Sequence, residues 1–372
     1  MSERVCYQLN WQKTLGGGEV YTRFACRALV ARGWRVVLFV QRGARFWREL
    51  GLEGVELCPI AQVHDIETQL PRDALMLTHN ILDAATAARW AGEQRLCGIL
   101  HMPLYDRNPA SLPSYRRLFG VSEHVLASAR ARGLTNLHRE ALLGVADLGP
   151  RGSDREIVER LPYEWDEHKV RDRLLAVAAR LTAPLRPRRR FVRTPGLTLG
   201  IVSRLTPIKQ FPKLFAIVAP ILAERPELQL EIFGAGGYAS VRDLKRVLVP
   251  LGARARFWGP QADVATVYAQ LDYVLSGLPE KEALGLNLIE AQACGTPVLA
   301  VRAPPFTETV IEGASGFLYR DPREDEGLEL RALLARLGGG MPRPDPRRAG
   351  AHLEGFSLAA FGGRLERALE SV

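Results

Sequence analysis

The sequence has few cysteines and no long apolar run. An odd number of cysteines, with no C-x-x-C pair, is scattered along the chain: Cys6, Cys26, Cys58, Cys97 and Cys294. This pattern excludes a disulfide framework and a cysteine-rich zinc site. The most apolar early stretch, 29–40, is interrupted by Arg32 and Arg35, so no segment reaches the roughly 18–20 apolar residues of a transmembrane helix. The N-terminus also lacks the apolar core of a signal peptide. We therefore expect a cytoplasmic protein whose cysteines are reduced and mostly buried.

Lysine is also scarce, although the chain is basic. Only six of the 50 basic residues are lysines, and the net charge is +9. Such a charge indicates an anionic partner, for example a nucleic acid, an acidic lipid or a phosphorylated small molecule. The basic residues are not interleaved with aromatic residues, and no helix-turn-helix, RRM or zinc-finger pattern occurs. We expect no nucleic-acid partner. A nucleotide- or nucleic-acid-binding protein without catalysis remains the alternative from a different functional class.

The length and the hydrophobic pattern predict two α/β domains. At about 100–200 residues per domain, 372 residues suffice for two. Short apolar runs alternate with helical patterns, as in doubly wound parallel sheets. The predicted strands are 5–9, 34–40, 74–78, 96–100, 124–127, 197–203, 228–233, 255–258, 273–276 and 297–301. The predicted helices are 19–31, 84–92, 166–181, 211–224, 263–271, 285–293 and 357–372.

The region between the two strand series is rich in proline, glycine and arginine. We interpret 151–194 as an insertion or linker that ends an N-terminal domain at 194, followed by a C-terminal domain over 195–355 and a terminal helix in 356–372. The arginines at 186, 188, 189, 190 and 193 are typical of a solvated connector. An anionic lipid surface or a substrate-facing patch is the alternative.

Two clusters of phosphate-binding type follow predicted strands. Gly16-Gly17-Gly18 lies between the first strand and its helix, where backbone N–H groups can approach a phosphate. It lacks the G-x-G-x-x-G spacing and an acidic residue about twenty positions later, which argues against a nicotinamide dinucleotide; a plain turn stays open. Arg204 and Lys209 follow the first strand of the second series and can both point at one diphosphate, although solvated loop cations remain the alternative.

The string from Glu282 to Glu290 is the most specific motif. Gly285 opens a helix whose free N–H groups can hold an anion. Glu290 lies in an otherwise apolar helical segment, where a carboxylate needs hydrogen-bond donors such as ribose hydroxyls. Glu282 precedes the helix and would reach the group beyond the phosphates, for example sugar hydroxyls. The motif therefore favours a site for a ribose and a further sugar beside a phosphate, and two incidental glutamates are the alternative.

This motif, E-x7-E followed by EAQACGTPVLA, resembles that of the retaining GT-B glycosyltransferases of family 4. The resemblance covers nearly the whole chain in the same order, from the N-terminal GGGE to Ser315-Gly316-Phe317. It implies a GT-B fold: two Rossmann-like doubly wound domains facing across a cleft, with the C-terminal helix crossing back to the N-terminal domain. The chain departs from the family at Ala283-Leu284, where Gly-Phe is usual, and at 277–280.

The resemblance also implies residue roles. Arg204 and Lys209 would stabilise the leaving diphosphate in place of a metal ion, and Glu282 would contact the donor sugar. His101 matches the family position of a histidine near that sugar. The resemblance places the following residues around the donor: Gly17, Gly18, Gly234, Phe257, Trp258, Gly285, Leu286 and Glu290. No metal or other cofactor is expected.

The predicted function is retaining, metal-independent transfer of a sugar from a nucleotide-diphosphate sugar, of the hexosyltransferase type. UDP- and GDP-sugars are the expected donors. The acceptor would be a glycan or a lipid-linked acceptor of bacterial envelope polysaccharide or lipopolysaccharide synthesis, with peripheral contact to the anionic inner face of the cytoplasmic membrane. Another GT-B enzyme, a sugar phosphorylase or a nucleotide-sugar epimerase, is the alternative within the same fold.

Overall fold

The computed structural model describes residues 3–146, 156–165, 169–182 and 189–372. The chain divides into two compact units, one formed by Met1–Asp147 with Glu354–Val372 and the other by Leu148–Leu353. Each unit is built around a six-stranded parallel sheet, so the predicted α/β class with two doubly wound sheets is confirmed. All five cysteines are thiols rather than disulfides, and four of them are buried.

The first unit contains six parallel strands in the order β3-β2-β1-β4-β5-β6. The strands are β1 (Val5–Asn10), β2 (Arg35–Gln41), β3 (Val55–Ile60), β4 (Leu75–Thr78), β5 (Arg95–Leu100) and β6 (Arg117–Gly120). The helices between them are α1 (Gly17–Val30), α2 (Ala84–Glu93) and α3 (Glu123–Arg130). The strand order reverses direction between β1 and β4, and ligands of such sheets bind outside the carboxyl ends of the strands at this switch point.

The second unit repeats this arrangement in the order β11-β9-β8-β12-β13-β14. Its strands are β7 (Tyr163–Glu164), β8 (Leu197–Val202), β9 (Leu228–Phe233), β10 (Gly236–Gly237), β11 (Ala255–Gly259), β12 (Tyr273–Leu275), β13 (Val298–Val301) and β14 (Gly316–Tyr319). Its helices are α4 (Val170–Thr182), α5 (Phe211–Ala223), α6 (Tyr238–Val247), α7 (Val264–Ala269), α8 (Leu286–Ala293), α9 (Phe306–Thr309), α10 (Pro322–Asp325), α11 (Leu328–Gly338) and α12 (Gly350–Glu354). Here the switch point lies between β8 and β12.

The last helix, α13 (Leu358–Glu370), belongs to the first unit, where it packs on α1. Ser357 caps its N-terminus by accepting a hydrogen bond from the N–H of Ala360 at 3.1 Å. Phe361 and Leu365 are fully buried on the face toward the unit, and the ring of Phe361 meets Tyr21 edge-on at 5.3 Å between centroids. Burial of this apolar face stabilises the helix, because an isolated helix of this length is marginal in water.

One strand prediction is wrong. Residues 124–127 lie in the helix α3, whose N-terminus is capped by the side chain of Ser122, and the strand comes earlier, at Arg117–Gly120. A short apolar run does not distinguish a buried helix from a strand, and here the capping serine and the acidic Glu123 decide for the helix. The sequence analysis also missed the strands β3, β7, β10 and β14 and the helices α6 and α9 to α12.

The connector region belongs to the second unit, so the boundary at 147/148 differs from our expectation of 194/195. The physical reason is backbone pairing: the N–H of Arg160 donates to the carbonyl of Trp258 at 2.9 Å, and the N–H of Gly236 donates to the carbonyl of Pro162 at 3.0 Å. The predicted helix over 166–181 is observed as α4.

The three described arginines of the run form ion pairs within the second unit. Arg189 and Arg190 bind glutamates of the same connector, Glu159 at 2.6 Å and Glu156 at 2.5 Å. Arg193 binds Asp272 at 2.6 Å. These contacts favour the connector interpretation over a substrate-facing patch for these three residues. Arginines 186 and 188 lie outside the described residues.

Candidate active site

The loops that follow β8 and β12 lie side by side at the switch point of the second sheet. The loop after β8 contains the 3-10 turn Pro207–Lys209, and the ammonium of Lys209 forms an ion pair with the carboxylate of Glu282 in the loop after β12. Gln210 adopts a left-handed conformation with φ of 53°. Its amide Nε2 donates to the carboxylate of Glu280 at 2.7 Å. The structure thus brings the predicted residues Lys209 and Glu282 together.

A tight backbone approach fixes the start of the loop that carries Arg204. Gly234, at the end of β9, has φ of +141°, and a Cβ atom there would lie 1.9 Å from the carbonyl oxygen of Ser203. Only glycine accommodates this approach, since the backbone atoms cannot move aside independently. Gly234 therefore supports the adjacent loop. The guanidinium of Arg204 is half-exposed, 3.8 Å from the carboxylate of Glu164.

The helix α8 begins at the same edge of the sheet. Gly285 is its N-cap residue and has φ of 79°, with Leu286 as the first helical residue. The side chain of Asn287 donates to the carbonyl of Val202 at 3.1 Å, which anchors the helix start to the end of β8. Because the first N–H groups of a helix have no intrahelical partner and carry partial positive charge, this end suits an anion. Phosphate binding by Gly285 and Leu286 stays a prediction.

Glu290 lies one helical turn further along α8. Its carboxylate accepts a hydrogen bond from the hydroxyl of the buried Tyr268 at 3.1 Å. Burial raises the pKa of Glu290 to about 7, while the hydrogen bond from Tyr268 and the positive charge of Lys209 act in the opposite direction. Lys209 therefore lies within electrostatic range of both glutamates of the motif. A buried carboxylate that titrates near pH 7 can accept hydrogen bonds from sugar hydroxyls.

Phe257 and Trp258 occupy different environments. Trp258 is 4% exposed and stacks on Phe233 with 6.4 Å between ring centroids. Its indole N–H donates to the carboxylate of Glu231 at 2.6 Å. This core position does not favour direct contact between the Trp258 ring and a ligand. Phe257 is only partly buried, and the ammonium of Lys245 lies over its ring at 5.2 Å.

In the first unit, the glycine turn and His101 are neighbours. Gly17 and Gly18 begin α1 directly after the turn that follows β1, and a Cβ atom on Gly18 would lie 3.8 Å from Nδ1 of His101. His101 follows β5, and its ring meets Tyr21 edge-on at 5.1 Å between centroids. The predicted residues of this unit are thus brought together.

The sequence analysis missed several residues of both groups: Gln8, His79, Tyr268, Gln210 and Glu280. One signal could have found His79. It directly follows Thr78 at the end of β4, just as His101 follows Leu100 at the end of the neighbouring β5. Side chains at the carboxyl ends of adjacent parallel strands share one edge of the sheet.

A cavity of about 390 Å³ adjoins the Lys209 loop on the side of α5 and α6. Its walls include Leu205, Phe211 and Leu244, with Lys213 and Lys281 at its rim. Across the described ranges, no group of three or more His, Cys, Asp or Glu side chains is arranged to hold a metal ion. Within the same ranges, no helix combines the length and apolar character needed to cross a membrane.

Comparison with known proteins finds a glycosyltransferase domain in the second unit. Residues 196–334 match the family "Glycosyl transferases group 1". The chain is 32% identical over 191 residues to D-inositol 3-phosphate glycosyltransferase of Stackebrandtia nassauensis, covering 46% of this chain and 43% of that protein. It is 32% identical over 179 residues to GDP-mannose-dependent monoacylated alpha-(1-6)-phosphatidylinositol monomannoside mannosyltransferase of Corynebacterium glutamicum, covering 45% of this chain and 46% of that protein. The chain thus spans less than half the length of these curated relatives.

The fold is shared along the full length with solved glycosyltransferase structures. The structure of Anabaena Alr3699/HepE in complex with UDP and glucose aligns with a TM-score of 0.70 at 16% identity and covers 100% of both chains. The position of the matched domain, which contains Arg204, Lys209 and both glutamates of the motif, agrees with the resemblance found from the sequence. Residues 196–334 therefore form a group 1 glycosyltransferase domain, and the chain has the GT-B fold.

Proposed function

We propose that this protein transfers a sugar from a nucleotide-diphosphate sugar to an acceptor hydroxyl, with retention of configuration and without a metal ion. The observation that carries the proposal is the grouping of Lys209 with both motif glutamates, beside the N-terminus of α8. A nucleotide-sugar donor has a diphosphate with a ribose on one side and the transferred sugar on the other. The positive charge of Lys209 matches the diphosphate, and the two carboxylates match the hydroxyls of the two sugars.

In this proposal, different residues of the second unit bind different parts of the donor. Arg204, Lys209 and the N–H groups at Gly285 and Leu286 hold the diphosphate, because cations and helix N-termini stabilise the charge that develops on the leaving group. Glu290 accepts hydrogen bonds from the ribose. Glu282 leaves Lys209 and contacts the transferred sugar. Within the first unit, Gly17, Gly18 and the neighbouring His101 form a second group of donor-binding residues.

The reaction breaks the bond between the anomeric carbon and the phosphate oxygen and forms one between that carbon and the acceptor oxygen. The acceptor attacks on the face that the leaving group departs from, and the diphosphate takes the acceptor proton. The positive charge of Arg204 and Lys209 lowers the barrier by stabilising the departing diphosphate, and positioning of the acceptor contributes the remainder. UDP- and GDP-sugars are the proposed donors, since structural neighbours contain UDP and one relative is described as GDP-mannose-dependent.

The first experiment is a thermal-shift screen against UDP-, GDP-, ADP- and TDP-sugars. A donor at 100 times its Kd stabilises the native state by about 2.7 kcal/mol, which shifts Tm by several degrees. We expect one nucleotide class to stabilise the protein, and Lys209→Ala to abolish that shift and turnover. Lys213→Ala is the matched control, because Lys213 is an exposed lysine of the next helix. Wild-type turnover in Lys209→Ala contradicts the proposal.

Product analysis separates the other reactions of this fold. A transferase releases nucleoside diphosphate only when an acceptor is present, whereas a phosphorylase needs phosphate and an epimerase releases no nucleotide. Salt-dependent DNA binding without any stabilisation by nucleotide sugars would instead support a non-catalytic basic binder.

We also propose that α4 contacts an anionic lipid surface on which a lipid-linked envelope acceptor is presented. Four apolar side chains share one face of this helix and are 53–73% exposed: Val170, Leu174, Val177 and Leu181. Three basic residues, Lys169, Arg171 and Arg173, lie along its first turn with only Asp172 as an acidic residue, and Asp172 is buried. A basic amphipathic helix with an exposed apolar face is typical of interfacial membrane binding.

The lipid proposal is tested by co-sedimentation with vesicles of phosphatidylglycerol or of phosphatidylcholine. We expect binding to the anionic vesicles and its loss in the double variant Leu174→Glu with Val177→Glu. The matched control carries Leu328→Glu with Val249→Glu, two other exposed apolar positions of the same unit. Equal binding by both double variants, or a dimer that dissociates only in the α4 variant, contradicts the proposal.

A further inference from the structure

Three polar side chains form a hydrogen-bonded row inside the first unit. Oε1 of Gln8, on β1, lies 2.9 Å from Nε2 of His79, and Nδ1 of His79 lies 3.1 Å from Nε2 of His101. Gln8 is fully buried and His79 is 6% exposed. The row therefore leads from the core of the sheet to the partly buried ring of His101.

The acceptor at the inner end sets the polarity of the row. The carbonyl oxygen of Gln8 can only accept, and the thiol of Cys26 also donates to it at 3.5 Å. Burial raises the pKa of the Cys26 thiol, so this thiol stays protonated and remains a donor. In this orientation of the Gln8 amide, Nε2 of His79 carries a hydrogen, because two acceptors facing each other in the core would be unfavourable.

The position of the hydrogen on His79 determines the position of the hydrogen on His101. Burial lowers the pKa of His79 well below its usual range and that of His101 to about 4, so both imidazoles are neutral near pH 7. A neutral His79 with hydrogen on Nε2 has a bare Nδ1, which accepts from Nε2 of His101. His101 then carries its only hydrogen on Nε2, and its Nδ1 is a bare acceptor.

The bare nitrogen faces the glycine turn of α1. Nδ1 is the atom of His101 nearest to a Cβ built on Gly18, at 3.8 Å. The edge-on contact with Tyr21 and the hydrogen bond from Tyr21 to the carbonyl of Leu142 at 2.7 Å hold the ring from another side. A bare imidazole nitrogen accepts from a hydroxyl but repels a phosphate oxygen, which needs a donor.

We propose that Gln8 and His79 are positioning residues that hold His101 in the tautomer with hydrogen on Nε2, so that Nδ1 accepts a hydrogen bond from a hydroxyl of the donor sugar. The proposal rests on the proposed function for the identity of the ligand. It assigns His101 to recognition of the sugar rather than of the diphosphate. The affinity for a donor that lacks this hydroxyl, or for a bare nucleoside diphosphate, would not depend on Gln8 and His79.

The first test needs no ligand. NMR of the protein labelled with ¹⁵N in its histidines reads the protonated nitrogen of each ring directly, and a His101→Gln sample assigns the signal. We expect hydrogen on Nε2 and a bare Nδ1 in His101 of the whole chain at pH 7. The opposite tautomer, or a mixture of both, overturns the proposal.

The second test compares two variants of His79. Asn places an amide oxygen close to the position of His79 Nδ1 and keeps the acceptor, whereas Leu removes it. We expect His79→Leu to lose the fixed tautomer and about tenfold in affinity for the selected nucleotide sugar, with affinity for the matching bare nucleoside diphosphate unchanged. His79→Asn should restore both readouts to within about threefold of wild type.

Controls separate this role from simple loss of packing. His138→Leu changes a partly buried histidine of the same unit that lies outside the row, against Phe119, and should leave the tautomer of His101 and the sugar affinity unaltered. If His79→Asn is as defective as His79→Leu, or if both weaken bare nucleotide and nucleotide sugar equally, the role is structural and the proposal fails. If wild type binds no nucleotide sugar, the proposed function fails while the NMR result still decides the tautomer.

Discussion

The ammonium of Lys209 forms an ion pair with the carboxylate of Glu282, which lies 73 residues later in the chain. Both side chains are largely shielded from solvent, at 23% and 13% exposure. The pair joins the loops after β8 and β12 at the switch point of the second sheet. A diphosphate that binds Lys209 must therefore compete with Glu282, which couples phosphate binding to release of this carboxylate.

Removing that competitor should separate binding from transfer. We expect Glu282→Gln to bind bare nucleoside diphosphate about tenfold more tightly, because Lys209 no longer has a charged partner. The variant should lose about 100-fold or more in kcat, since the transferred sugar loses a contact. Calorimetry with UDP and GDP measures the first effect and initial rates the second. Glu280→Gln, which alters a carboxylate bound by Gln210 and Arg323, is the control, and weaker diphosphate binding in Glu282→Gln contradicts the prediction.

The raised pKa of Glu290 predicts a pH-dependent cost in stability. Its ordinary pKa of 4.5 rises to about 7 in the folded protein because of burial. Between pH 4.5 and pH 7 this carboxyl group is therefore ionised in the unfolded protein but still protonated in the folded protein. The free energy of unfolding from this group therefore falls as pH rises from about 4.5 to about 7 and is constant above and below. Glu290→Gln should remove this fall, which amounts to about 2.5 kcal/mol between pH 5 and pH 8. Urea unfolding of both proteins at pH 5 and pH 8 measures the difference, and parallel pH profiles would refute it.

Gly234 and Gly237 offer a matched pair near the same loop. Gly234→Ala should lower the free energy of unfolding by about 3 kcal/mol or more, because its Cβ atom would lie 1.9 Å from the carbonyl oxygen of Ser203. Gly237→Ala meets no atom within 4 Å, so it should change stability by less than about 0.5 kcal/mol. Thermal unfolding compares the two, and similar Tm values would mean that the loop does not need the close approach.

Trp258 should affect stability rather than donor recognition. In Trp258→Phe, the buried carboxylate of Glu231 keeps Arg256 but loses the indole N–H, and we expect a loss of about 1–3 kcal/mol. The KM for the donor should stay within about twofold. Chemical unfolding and donor titration check both quantities, and a raised KM at unchanged stability would instead support contact between this ring and the nucleotide.

Much of the fold was predictable because its elements have strong local signals. The strands at 228–233 and 5–9 are short apolar runs bounded by polar or glycine residues, and α13 shows its apolar side at helical spacing. The error at 124–127 arose where a short apolar run fits either element and only the Ser122 cap decides. The short strand β14 was missed, since the sequence analysis noted its residues only as part of a motif.

The candidate site was predictable residue by residue but not contact by contact. The spacing of Glu282 and Glu290 and the position of Arg204 and Lys209 after a strand indicated a nucleotide-sugar site without coordinates. The pairing of Lys209 with Glu282, and of Glu290 with Tyr268, depends on chain segments far apart in sequence. The core position of Trp258 likewise follows from neighbours on β9 and the connector, which no local pattern reveals.

The sequence by itself determined the α/β class, the two doubly wound sheets and the choice of candidate site residues, because hydrophobic period, glycine placement and motif spacing are local properties. Only the tertiary structure decided that the connector belongs to the second unit, where Arg189 and Arg190 pair with glutamates and Arg193 pairs with Asp272. It also decided that Gln8 lies within hydrogen-bond distance of His79, and His79 within hydrogen-bond distance of His101. Charge pairing and proton placement depend on which atoms come within hydrogen-bond distance, and that distance is fixed only when the strands are assembled.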